Sequence, residues 1–130
     1  MDLDERLCEH IQSLGGNAAK CGLGFVPANG QLSLQADPGS RALQTYFNGD
    51  ADMAMNFDLA LNDQSYKAAR ETLNPIADML VNLEELESSD GSFLFDHIDI
   101  TGMPFNQLVD QTGNLYWITN FVVYVTKINK

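Results

Sequence analysis

Three neighbouring residues, Asp96, His97 and Asp99, are of the types that general acid–base chemistry uses, because an imidazole beside a carboxylate can hold or move a proton near neutral pH. A working pair also needs a nucleophile or a metal, and none is spaced to supply it. Strand alternation would put His97 on the face of Phe95 and Asp99, opposite Asp96 and Ile98, as a solvent-facing polar stripe. A zinc site would have to collect Cys8, His10, Cys21 and His97 from separate elements. The two cysteines are too far apart in sequence to form a framework and are expected to be reduced, without redox chemistry. Glu84, Glu85, Glu87 and Asp90 offer oxygens, but they lack the alternating ligands and central glycine of a calcium loop. Gly22 and Gly24 belong to no GxGxxG or Gly-Lys-Ser/Thr string, so CGLGF reads as a strand with a close backbone approach or a bulge. The residues therefore predict no catalytic, cofactor-binding or metal-ligating set, and no enzyme.

Two further groups could form surfaces. Tyr116, Trp117, Phe121 and Tyr124 could stack on bases, but their segment has no Arg or Lys before Lys127, whereas base-stacking platforms sit in basic grooves. Met53 and Met55 could form an adaptable patch, yet their alternation with Phe57, Leu59 and Leu61 reads as core.

The elements that would carry these residues follow from hydrophobic period. Asp2 and Glu5 resemble a capping box, and Leu3, Leu7, Ile11 and Leu14 recur at helical spacing up to Gly15 and Gly16. Short strands are predicted between residues 17 and 61, separated by turns at Pro27–Gly30, Asp37–Ser40 and Asn48–Asp50. Residues 51–61 alternate strictly and pair with Ala42–Phe47 as a hairpin through Asn48-Gly49-Asp50. Tyr66, Ala69, Leu73, Ile76, Leu80 and Leu83 then predict a second helix, kinked at Pro75. Residues 84–91 read as an acidic surface loop. Strands are predicted over Phe93–Ile100 and Leu115–Ile128, with 101–114 as a wide hairpin loop. The last strand is apolar on both faces and should be central. The result is an α+β fold, a largely antiparallel or mixed sheet with two main helices packed on one face, in a single domain over 1–130.

At 130 residues with 45% hydrophobic content, the chain suits one domain with a core that needs no metal or disulfide. Eighteen acidic against seven basic side chains give a formal charge of −11, which disfavours binding to phosphate backbones and acidic membranes. No run approaches the ~20 apolar residues of a membrane span, and the acidic start is unlike a signal peptide, so a soluble protein retained where it is made is expected.

Features spread along the chain resemble the minor capsid, or tail-terminator, proteins of long-tailed bacteriophages and prophages. These are the short first helix, a strand ending at Leu34 before Pro38-Gly39-Ser40, and the Gly49 hairpin leading to the strand around Phe57. The Lys67–Leu83 helix follows, then a tail containing Pro104, Gly113, Tyr116, Trp117 and an apolar final strand. The resemblance implies a virion structural protein at the head–tail junction, assembled in the bacterial host cytoplasm. It would form a homo-oligomeric ring of six subunits that caps the tail tube protein, stops tail growth and docks the head completion or connector protein. It implies no enzyme and no cofactor. A ring needs two complementary patches per subunit. Candidates are Pro38, Gly39, Ser40 and Arg41, and Tyr46 and Phe47, because Arg41 is one of few cations and the aromatics flank a turn. An acidic lumen would let DNA pass without sticking. The alternative is a small acidic inhibitor that mimics DNA, supported by net charge alone.

Overall fold

The computed structural model describes residues 2–24, 31–36, 40–63, 65–100, 106–109, 113 and 115–128. Helix α1 spans Leu3–Gln12 and buries Leu3, Leu7, Cys8 and Ile11. The stripe stops one turn before its predicted end, and Leu14 is exposed because the helix has already finished. A 3-10 segment at Gly16–Lys20 leads to strand β1, Gly22–Leu23, followed by β2, Leu32–Ala36. Gly24 sits at positive φ with open space where a Cβ would stand, so at that position glycine serves a backbone conformation and not a close approach, while Gly22 lies in β1. The hairpin strands are β3, Arg41–Thr45, and β4, Ala51–Asn62.

Helix α2 spans Tyr66–Val81 and starts where Ser65 accepts a hydrogen bond from the Ala68 N–H. It continues through Pro75, which lies on the exposed side, while Ala69, Thr72, Leu73, Ile76 and Leu80 face inward. Tyr66 is exposed, and Leu83 lies beyond the helix, half-buried, so the inward stripe is shorter at both ends than its spacing predicts. Strands β5, Phe93–Ile100, β6, Asn106–Val109, and β7, Leu115–Lys127, complete the chain. Residues 101–114 are therefore more than a loop, because part of them forms β6 and pairs with β7.

The sheet is mixed and the fold is α+β. β4 and β7 form a long antiparallel pair from Ala51↔Lys127 to Asn62↔Tyr116. The far side of β4 is shared, with β3 along Ala51–Ala54 and β2 along Phe57–Leu61. The far side of β7 is shared likewise by β5 and β6. β1 joins β2 in parallel, and every other pairing among the described residues is antiparallel. β7 is thus central, as its apolar run predicts.

Trp117, Phe121, Val123 and Val125 of β7, with Phe57, Leu59 and Leu61 of β4, face the two helices and form one core with their buried residues. Met53 and Met55 pack against it. The alternate residues Tyr116, Ile118, Val122 and Tyr124 stay half-buried on the other face, which no helix covers among the described residues. Among the described residues no helix is long and apolar enough to cross a membrane.

Two long-range contacts differ from the sequence expectation. Asp2 precedes α1, but its carboxylate makes no cap; it accepts hydrogen bonds from Ser88 Oγ at 2.7 Å and the Ser89 N–H at 2.8 Å. The 84–91 segment is consequently docked, with Leu86 buried and Glu87 bridged to Leu94. Cys8 and Cys21, thirteen residues apart, meet in the core as free thiols with their sulfurs 3.7 Å apart. Burial pushes both thiols above their ordinary value.

Candidate subunit interface

The β3–β4 hairpin is built from its turn outward. The Tyr46 N–H donates to Asp50 O at 2.8 Å and the Gly49 N–H to Tyr46 O at 3.0 Å. Asn48 Oδ1 accepts from the Asp50 N–H at 3.1 Å, while Gly49 takes the positive φ of 90° that a side chain would strain. One side chain then fixes the turn to the sheet: Tyr46 Oη donates to Asp52 Oδ2 at 2.7 Å, and Thr126 Oγ1 donates to Asp52 Oδ1 at 2.8 Å. The Tyr46 hydroxyl, then that of Thr126, holds the Asp52 carboxyl below its ordinary range, and the same contact raises the Tyr46 phenol.

This pinning leaves Phe47 fully exposed at the tip, and every residue of β3 is exposed too. Leu43 is 51% exposed, at a bulge where the register shifts between Ala42 and Gln44. It lines a cleft of about 140 Å³ together with Asp52, Met53, Asp96, Tyr124, Val125 and Thr126. An apolar side chain this exposed at the tip of a fixed turn contributes no burial among the described residues, and such surface is where a partner gains most.

The predicted contact residues divide as follows. Arg41, Tyr46 and Phe47 lie on this hairpin; Ser40, just before β3, accepts from the Asn56 N–H at 2.9 Å and ties the start of the strand to β4. Pro38 and Gly39 lie outside the described residues. Leu43 and Asp52 belong to the same surface but were not identifiable in sequence. The Leu43 bulge has no signal in RALQT, and the role of Asp52 depends on Thr126, 74 residues away.

The Asp96, His97 and Asp99 run sits at the opposite sheet edge. A bulge between Phe95 and His97 resets the alternation, so His97 shares the outer face with Asp99 while Phe95 turns toward the core. That corrects the simple alternation, which paired His97 with Phe95. His97 stacks on Tyr124, centroids 4.4 Å apart, with Nδ1 3.3 Å from Asp96 Oδ2 and Nε2 3.8 Å from Asp99 Oδ2. Both carboxylates are well exposed, so the histidine is flanked by acid at an open rim. Among the described residues no group of three or more His, Cys, Asp or Glu is placed to hold a metal ion. No protein-family model matches the chain, and no curated protein is significantly similar to it.

Proposed function

We propose that the chain is a ring-forming structural protein of a bacteriophage virion, a tail terminator that caps the tail tube and joins it to the head connector. The observation that carries this reading is the hairpin: an arm held by Tyr46, Asp52 and Thr126 that presents Phe47, Leu43 and Arg41 outward from an acidic chain. An exposed hairpin at the sheet edge is one half of a head-to-tail contact. The half-buried open face of β7 and the acidic β5 edge offer different surfaces for the other half, as a closed cyclic assembly requires.

The charge supplies a second element of mechanism. At −11 per subunit, carboxylates facing the ring lumen would keep passing DNA from adhering. The same charge opposes assembly, so salt should promote ring formation by screening over a Debye length of about 8 Å at physiological strength. Arg41→Glu adds repulsion at an exposed strand and removes no core packing. Analytical ultracentrifugation across a salt series, with and without tail tube protein, is the test. The expected result is a salt-promoted oligomer that Arg41→Glu abolishes with an unchanged melting temperature. A wild-type chain that stays monomeric throughout would overturn the proposal.

A further inference from the structure

At one end of the sheet the strand order is β3-β4-β7-β5, all antiparallel, and both outer strands present an edge. Among the described residues, no strand pairs with the far edge of β3, and only the single Glu87–Leu94 bridge touches the far edge of β5. Open edges display unpaired backbone groups and are natural sites for strand addition. We propose that a second copy of this chain fills that place, the β3 edge of one copy pairing with the β5 edge of the next. This rests on the copy-to-copy assembly proposed above and names the surfaces that make it.

Three observations select these two edges for each other. Direction is the first: β3 and β5 run oppositely, so setting one sheet beside the next in the same orientation gives an antiparallel junction, and the β3-β4-β7-β5 order repeats without reversal. Because the joined edges differ, the contact is heterologous and can propagate around a ring.

Charge is the second. Arg41 is the one charged residue of β3, whereas β5 carries Asp96 and Asp99 and no Lys or Arg. Both strands carry a bulge, a feature that discourages indiscriminate edge pairing, so the charge pair is what distinguishes this partner.

Register is the third. Arg41 pairs with Ala54, Ala54 with Tyr124 and Tyr124 with His97, so one row runs from Arg41 on one edge to His97 on the other. Straight pairing would bring the incoming strand against the Glu87–Leu94 bridge. A slide of two residues toward Ile100 sets Arg41 opposite Asp99 and Thr45 opposite Phe95, which takes β3 itself past Leu94 and, outside the two bulges, keeps side chains on their own faces. Stagger of this kind is also what closing a sheet into a barrel-like ring requires.

The test uses full-length chain with Arg41→Asp, Asp99→Arg and the double variant, each checked for an unchanged melting temperature. Self-association is measured by sedimentation equilibrium, and amide hydrogen exchange is measured in the assembled state. Each single reversal should weaken association about tenfold or more, the range seen for close interfacial charge pairs, and the double variant should recover most of the loss. Amides within Arg41–Thr45 should gain protection on assembly, which a purely side-chain contact would not produce. If the wild type assembles but the double variant is no better than the singles, or the β3 amides gain no protection, the strand pairing is wrong and the ring reading stands. If the wild type never assembles, with tail tube protein present or absent, both fall.

Discussion

Asp2→Ala removes the carboxylate that ties the first helix to the 88–92 segment. Asp2 is only 8% exposed and accepts from Ser88 Oγ, Ser89 Oγ, the Ser89 N–H and, at 3.3 Å, Ser92 Oγ. Hydrogen bonds to an ionised group contribute about 1.5 to 3 kcal/mol each, and bonds that share one acceptor do not add, so the expected loss is about 2 to 4 kcal/mol. For a domain of this size that lowers the melting temperature by roughly 6 to 15 °C. Burial works to raise the Asp2 carboxyl, but the Ser89 and Ser88 hydroxyls and the Ser89 N–H outweigh it and hold it well below the ordinary range. A carboxyl lowered in the folded chain contributes its full stability above the unfolded value of about 3.9 and loses it as pH falls toward the folded value. Differential scanning calorimetry of wild type and variant from neutral pH to about pH 3 should therefore show a gap that is widest at neutral pH and narrows below about 3.9. A gap near zero at neutral pH, or one that does not narrow on acidification, would refute the reasoning.

Other substitutions separate core from surface. Val123→Asp places an unpaired charge in a fully buried position of the central strand and should prevent folding, read as loss of a cooperative melt. Phe47→Ser should leave stability within about 0.5 kcal/mol, because the ring is fully exposed, while weakening self-association in sedimentation. Cys8 and Cys21 should react with a thiol reagent only on unfolding, since both are buried and raised above the ordinary thiol range; rapid labelling of the native chain would contradict that packing.

The β3–β4 hairpin, both helices and the central β7 were legible because each rests on a local period that one face of the fold then uses. The alternation from Met53 to Leu61 is the clearest case: Phe57, Leu59 and Leu61 are buried in the core and Met53 and Met55 pack partly against it, although Ala54 and Ala60 between them are buried too. What was illegible depends on residues distant in sequence. Asp2 looks like a cap and is an anchor for a loop 86 residues on. The cysteines meet only because α1 folds back on the segment after Gly16. Bulges at Leu43 and Asp96 insert one residue into a strand and carry no distinct composition, so strict alternation misplaces Phe95 relative to His97. At the candidate interface, Arg41, Tyr46 and Phe47 were identifiable from residue type beside a turn. Asp52 and the β5 edge required the register.

The association of copies into a closed assembly is tested most directly by native mass spectrometry of the wild-type chain, sprayed from volatile salt at increasing ionic strength. Closure predicts one fixed multiple of the 14.4 kDa subunit that grows with salt at the expense of the monomer. The chain remaining at 14.4 kDa under every condition, with tail tube protein present as well as absent, or an open ladder of multiples with no preferred number, would contradict the account.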